Sequence, residues 1–166
     1  MKRRTLIASI ILHALLIVTV YILQGIIFPY IRINGLVPLL LPIVTTGVAV
    51  RQGRTVGGIV GLFSGLLCDI SFNEPVGLFM VVLTLMGIFV GALADTVLTR
   101  GFGAFILCCI AVLAFAAFVQ MFSLLMFVGV QPSLLLMTAL WQTVYSLVFA
   151  FPIWFFVRVI GRIVDS

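Results

Sequence analysis

The sequence has 166 residues, of which 64% are hydrophobic and only 8% are charged. Soluble globular domains carry about 25% charged residues, so this composition excludes a water-exposed surface over most of the chain and predicts an integral membrane protein. The formal net charge of +5 does not indicate nucleic-acid binding, because in a membrane protein the positions of the basic residues carry the information. The continuous apolar runs also exclude the alternating strands of an outer-membrane barrel.

Six apolar segments follow one another with short connections. A helix needs about 20 apolar residues to cross a bilayer, and backbone groups in lipid must satisfy their own hydrogen bonds, so each segment is predicted to be a transmembrane helix. The predicted spans are residues 5–28, 36–50, 55–70, 78–98, 102–128 and 133–157. Residues 1–166 are therefore predicted to form a single membrane domain, an all-α compact bundle of six transmembrane helices.

The first two segments differ from ordinary spans. The first follows a short basic start and resembles a secretory leader, but its apolar run is too long and no cleavage site with small residues closes it, so an uncleaved span is predicted. The second segment is short and carries Pro38 and Pro42. We expect it to tilt less, to thin the bilayer locally or to be partly shielded by neighbouring helices.

The basic residues set the predicted orientation. If the N-terminus is cytoplasmic, an even number of spans returns the C-terminus to the same side, and the positive-inside rule is satisfied at nearly every basic position. The basic residues then on the cytoplasmic side are Lys2, Arg3, Arg4, Arg51, Arg54, Arg100, Arg158 and Arg162. Arg32 alone falls outside. Both termini are therefore predicted to be cytoplasmic.

The third segment carries glycines at every fourth position. Gly57, Gly61 and Gly65 form this row, and Asp69 continues it. Successive members of such a row are near neighbours on one side of a helix. Small residues in a row let the backbone of another helix come close. The row is therefore predicted to be a helix-packing surface or an interface with a partner protein.

The fourth segment repeats this pattern. The stretch GLFSGLLCD, which ends at Asp69, resembles the stretch GIFVGALAD, which contains Gly87 and Gly91 and ends at Asp95. The two stretches lie in consecutive spans and therefore run in opposite directions. The resemblance is either chance in a glycine-rich membrane protein or the mark of a hairpin with two close-packing ridges. Gly87 and Gly91 join the predicted interface.

Both aspartates of the repeat lie near the C-terminal end of a helix, where the helix dipole disfavours an anion. Each therefore needs a partner or water. Three alternatives are open for Asp69: solvation at the membrane surface, an ion pair with Arg32, or hydrogen bonds from backbone N–H groups of the following polar turn. The residues predicted to fix this helix end and outer turn are Asp69, Asn73, Glu74, Pro75, Gly77 and Arg32.

No grouping of side chains in the sequence indicates catalysis. The isolated polar residues His13, Gln24, Gln120, Gln142 and Tyr145 are expected to form hydrogen bonds between helices. The three cysteines lie in apolar segments without the spacing of metal ligands, so we expect them to pack as small apolar residues. The sequence therefore predicts no enzyme, no metal site and no cofactor.

The stretch GLFSGLLCDISFNEPVGL resembles the signature region of the MreD family of bacterial rod shape-determining proteins. It has a glycine helix that ends on an aspartate, a short polar turn with proline, and a Gly-Leu pair that opens the next helix. The preceding stretch VPLLLPIVTTGVAVRQGR fits as well, because a proline-bearing span leads into a short basic turn. The recognisable motif covers residues 36–80, and the size and layout of the whole chain are also similar.

This resemblance implies a non-enzymatic scaffold of the bacterial elongation machinery, the elongasome, in the cytoplasmic (inner) membrane. An MreD-like protein would contact membrane lipid and dock an MreC-like protein. Through that protein, or directly, it would connect to the peptidoglycan synthesis pair of RodA and penicillin-binding protein 2, and indirectly to MreB filaments. The chemistry of cell-shape maintenance would belong to these partners.

An alternative from another class is the substrate-binding S component of an energy-coupling-factor vitamin transporter, which is also small, six-spanning and nearly loopless. Two features disfavour it. The first span lacks the Ala-x-x-x-Ala spacing that many such proteins use to meet their transport partner, since Ala8 and Ala14 do not have it. The outer loops are also poor in the polar and aromatic groups that would hold a vitamin.

Overall fold

The computed structural model describes residues 3–27, 30, 38–72, 77–96, 101–128 and 132–165, and every regular element within these ranges is helical. The elements are α1 (Arg3–Ile22), a π-helical turn (Leu23–Ile27), α2 (Leu40–Gln52), α3 (Arg54–Phe72), α4 (Leu78–Thr96), α5 (Phe102–Val128), α6 (Pro132–Val148) and α7 (Ala150–Asp165). This confirms the all-α class predicted from the sequence.

The described residues contain three helices that are each long and apolar enough to cross a membrane. These segments are Arg54–Ser71, Leu78–Thr96 and Phe102–Gln120. The consecutive pair α6 and α7 passes the same test as one bent unit, which raises the number of candidate spans to four. A shorter apolar helix covers Ile11–Ile26. The predicted number of six remains a prediction.

Helix α2 forms the centre of the bundle. Every residue from Leu39 to Val50 is buried, and the helix packs against α3, α4, α5 and α7. A helix that is apolar all round is stable in such a position. Its two buried hydroxyl groups, on Thr45 and Thr46, donate to carbonyl oxygens four residues earlier in the same helix. Of the alternatives for this short segment, partial shielding by neighbouring helices agrees with the burial of α2.

The start of α2 lies inside the bundle, four residues later than the predicted start of the span at residue 36. Two of the N–H groups at this start are satisfied by side chains of distant segments. The Leu39 N–H donates to Ser146 Oγ at 2.9 Å, and the Leu40 N–H donates to Gln24 Oε1 at 3.2 Å. Pro42 has no N–H to satisfy. The first two donors of this buried helix start are therefore paired, and the position of Pro42 has no donor to pair.

We expect Ser146→Ala to destabilise the protein, because it leaves the buried N–H of Leu39 without an acceptor. An unsatisfied buried donor costs about 1–3 kcal/mol, so the unfolding temperature of the purified protein in detergent should fall measurably. Ser71→Ala is the matched control, since that exposed hydroxyl bonds only to a carbonyl of its own helix. Equal unfolding temperatures for the two variants would contradict this role of Ser146.

The sixth predicted span, residues 133–157, is not one continuous helix. It is divided into α6 and α7, whose axes differ by 44°. At the break, the Phe149 N–H bonds to the carbonyl of Ser146, one residue short of the α-helical pattern. Pro152 explains the break, because its ring excludes the carbonyl four residues earlier from a straight helix but fits the first turn of a new one. Helix α7 then continues to Asp165, beyond the predicted end.

Candidate functional site

Helices α3 and α4 run antiparallel and share the most extensive helix–helix contact in the described part of the chain. Glycine makes this closeness possible. A methyl group on Gly61 would collide with the backbone carbonyl of Leu83, and one on Gly57 would lie 2.7 Å from the carbonyl oxygen of Gly87. Backbone meets backbone at these points, so no flexible side chain can move aside.

The remaining predicted glycines lie in the same contact. A methyl group on Gly65 would meet the backbone of Phe79 and Met80, and one on Gly91 would meet the backbone of Gly53 and Arg54. The five glycines that the sequence offered as a helix-packing or partner interface thus face a helix of their own chain. A second protein would have to bind elsewhere, because α4 already occupies the row on α3.

Asp69 connects the end of α3 to the start of α4. Its side chain is only 2% exposed, and its carboxylate accepts backbone N–H groups from Gly77 at 2.9 Å, Phe79 at 2.8 Å and Met80 at 3.1 Å. These are free donors at the positive end of the α4 dipole. The aspartate sits at the unfavourable end of its own helix, but at the favourable end of the next one.

Asp95 has the corresponding position at the other end of the pair. It lies near the end of α4, and its Oδ2 is 3.4 Å from the backbone nitrogen of Arg54, the first residue of α3. Gly53 precedes that residue with φ +83, a conformation that favours glycine. A methyl group there would also lie 2.8 Å from the Asp95 carboxylate. Asp95 is exposed, so this contact is weaker than that of Asp69.

The sequence repeat has a reciprocal structural counterpart. The offset that aligns Gly61 with Gly87 also aligns Gly57 with Leu83. Gly61 lies against Leu83, and Gly87 lies against Gly57. Each helix thus presents the same pattern to the other, and each ends on an aspartate that lies at the start of the other. The contacts therefore follow an approximate two-fold relation between α3 and α4.

Several predicted site residues lie outside the described residues. They are Arg32, Asn73, Glu74 and Pro75. The ion pair between Asp69 and Arg32 therefore stays a prediction. Of the alternatives for Asp69, the structure displays the hydrogen bonds from backbone N–H groups. One of these donors is Gly77, whose backbone has a φ of +104.

Two of the isolated polar residues, His13 and Gln24, form contacts between elements. His13 of α1 is buried, and its Nε2 lies 3.1 Å from Nε2 of Gln52 at the end of α2. Gln24 caps α2, as described above. Sequence reasoning missed Ser146 and Gly53. The Pro38 and Pro42 pair was a signal that α2 starts in an unusual way, but nothing in the sequence identified the residue that caps it.

The described residues contain no group of three or more His, Cys, Asp or Glu side chains that could hold a metal ion. Cys68, Cys108 and Cys109 are free and buried. Cys109 and Val112 of α5 belong to the same apolar core as α2. The packing of the cysteines thus resembles that of small apolar residues.

The family model of the rod shape-determining protein MreD matches residues 2–164. The chain belongs to the MreD family. The match covers nearly the whole chain, well beyond the motif in residues 36–80. No curated protein and no solved structure matches the sequence. Family membership assigns a role in rod shape determination, and the long apolar helices agree with a membrane protein.

The motif that carries the MreD resemblance coincides with the α3–α4 hairpin. Its glycines are the positions where the two backbones meet, and its aspartate caps the second helix. The Gly-Leu pair after the turn contains Gly77, which donates to that aspartate. In this MreD family member, the residues of the motif thus hold α3 and α4 against each other.

Proposed function

We propose that this MreD family member is a non-enzymatic scaffold of the elongasome in the bacterial cytoplasmic membrane. In this proposal the chain is a single multi-pass domain with six spans and both termini in the cytoplasm. The candidate spans α3, α4 and α5 and the bent pair α6–α7 support it. In this proposal, α1 with the π-helical turn that prolongs it is the first of the six spans, and the buried helix α2 is the second.

The scaffold would dock an MreC-like protein and so connect, directly or through it, to RodA and penicillin-binding protein 2, and indirectly to MreB filaments. The observation that carries this proposal is the family match over residues 2–164. The construction of the α3–α4 hairpin adds physical support. Backbone contacts along its length and an aspartate at each end hold the two helices in one arrangement. A scaffold needs such a fixed frame.

The proposal predicts that the tagged chain retains the MreC-like protein of the same organism when both are extracted together from membranes in mild detergent. It also predicts that depletion of the chain makes rod-shaped cells round, and that the wild-type gene restores the rods. The gene with Gly103→Ala should restore the rods as well as the wild-type gene does, because a methyl group at that position meets nothing within 4 Å. Normal rods after depletion, with no MreC-like protein retained, would refute the scaffold function.

A further inference from the structure

Three irregular points of the backbone meet at one place in the bundle. They are the π-helical turn that prolongs α1, the buried start of α2, and the break between α6 and α7. Gln24 of the turn accepts the Leu40 N–H, and Ser146 beside the break accepts the Leu39 N–H. We call these four residues the junction. The turn and the break thus hold two consecutive backbone donors of the same helix.

The break itself is only loosely restrained by backbone hydrogen bonds. The Phe149 N–H bonds to the carbonyl of Ser146 in the tighter 3₁₀ pattern, and the bond from the Ile153 N–H to the Phe149 carbonyl is long, at 3.3 Å. Pro152 has no N–H and gives the carbonyl of Val148 no α-helical donor. A short 3₁₀ stretch within a helical segment often marks a hinge. The angle of 44° between α6 and α7 therefore depends strongly on what α6 contacts.

Helix α6 is held to the bundle by few buried side chains. Among its described side chains only Gln142 and Ser146 are buried, and both are polar. Residues 136–141 are exposed or half-buried. The main contact of α6 is with α5, whereas α7 packs on α1 and α2 and buries Trp154 and Val157. Elements with little buried apolar surface are the ones that move most easily, so α6 is less restrained than α7.

Gln24 indicates that the junction has a second arrangement. Its side chain is only 4% exposed, and its Oε1 lies 3.2 Å from the Leu40 nitrogen and accepts that N–H. This bond fixes the orientation of the amide, and in the described part of the chain its Nε2 has no hydrogen-bond partner. An unpaired buried donor destabilises the arrangement that contains it. The free energy of an alternative arrangement is therefore brought closer to that of the displayed one.

We propose that the break between α6 and α7 is a hinge and that the junction is its latch. In the latched arrangement, which the structure displays, Ser146 Oγ accepts the Leu39 N–H. In the released arrangement, α6 turns about Phe149 and slides along α5, while α2, α3, α4 and α7 keep their positions. Such sliding of packed helices is a common form of conformational change. The Leu39 N–H then loses its acceptor, so the latched arrangement is the more populated one.

The hinge also couples distant parts of the chain. Because Ser146 and Gln24 hold neighbouring donors of α2, release of α6 changes the surroundings of the π-helical turn, and displacement of that turn changes the stability of the latch. This coupling is reciprocal by thermodynamic necessity. The inference does not depend on the proposed function, since only contacts within this chain carry it.

The test measures distances between nitroxide spin labels by double electron–electron resonance in lipid nanodiscs. One pair, at Leu85 of α4 and Leu140 of α6, reports the hinge, and a second pair, at Leu85 and Phe155 of α7, reports the rest of the bundle. All three side chains are exposed, so the labels should not disturb the packing. Leu140 lies about 14 Å along the helix from Phe149, and a change of about 20° in the bend would move it by about 5 Å.

The wild type is expected to show a main distance and a weaker second distance for the Leu85–Leu140 pair. Ser146→Ala removes the latch, so the share of the second distance should rise about two- to tenfold. Pro152→Ala returns an N–H donor to the break and should lower that share. Ser71→Ala is the matched control, because that exposed hydroxyl bonds to a carbonyl of its own helix. The Leu85–Phe155 distance should stay the same in every variant.

Two results would overturn the hinge. A single Leu85–Leu140 distance that neither Ser146→Ala nor Pro152→Ala alters would show that α6 has one fixed position. A shift of both label pairs together would show a general loosening of the bundle instead. If Ser146→Ala does not fold, the comparison of Pro152→Ala with wild type decides, since an equal share of the second distance in the two proteins would contradict the hinge.

Discussion

Gly61→Ala is expected to lower the unfolding temperature of the protein in detergent by several degrees, although alanine favours helices. The added methyl group would collide with the carbonyl group of Leu83, and a backbone carbonyl held in a helix cannot move as a side chain can. Overpacking of this kind costs about 1–3 kcal/mol or more, whereas the gain in helix propensity is about 1 kcal/mol. The steric term is therefore expected to win, and Gly61→Leu should prevent the assembly of α3 with α4.

The matched control is Gly103→Ala in α5, because that glycine has open space around it. There the propensity gain acts alone, so the unfolding temperature should stay equal or rise. Gly87→Ala should behave like Gly61→Ala, since its methyl group would meet the carbonyl of Gly57. Thermal unfolding followed by circular dichroism measures all three variants. If Gly61→Ala is as stable as Gly103→Ala, the two backbones are not in direct contact.

The glycine contact could be anticipated from sequence because its signal is local. Residues at every fourth position share one side of a helix, and a second copy of the pattern in the next segment identifies the facing helix. The sequence could not decide whether the glycine row of α3 contacts α4 or a helix of another protein. That depends on the axial register of two helices. Here the register brings Gly57 opposite Gly87 and Gly61 opposite Leu83.

The start of α2 and the break before α7 were beyond sequence reasoning for a different reason. The acceptor of the Leu39 N–H is Ser146, which is 107 residues away along the chain. A lone serine in an apolar span gives no sign of the helix end that it caps. Pro152 was visible, but prolines are tolerated in membrane helices. A proline in an apolar segment therefore did not by itself predict that α6 and α7 would differ in direction by 44°.

Asp69→Ala is expected to cause the largest loss of stability among the substitutions of charged residues in the described structure. It leaves three backbone N–H groups at the start of α4 without their acceptor, and two of the three belong to Gly77 and Phe79 at distances below 3 Å. Hydrogen bonds to charged groups contribute about 1.5–3 kcal/mol each. The total is expected to exceed 3 kcal/mol, large enough to lower the yield of folded protein as well as its unfolding temperature.

Asp95→Ala provides the internal control, because it removes the equivalent residue of the repeat. Asp95 is exposed and its contact to the Arg54 nitrogen is long, at 3.4 Å, so the loss should be smaller than that for Asp69→Ala. Asp69→Asn should fall between the two, since the amide keeps one oxygen acceptor but turns an N–H donor toward the other helix donors. Equal losses for Asp69→Ala and Asp95→Ala would show that burial does not distinguish the two ends. A loss of stability that decreases in the order Asp69→Ala, Asp69→Asn, Asp95→Ala would instead show that the contacts of Asp69 hold the hairpin together more strongly than the contact of Asp95 does.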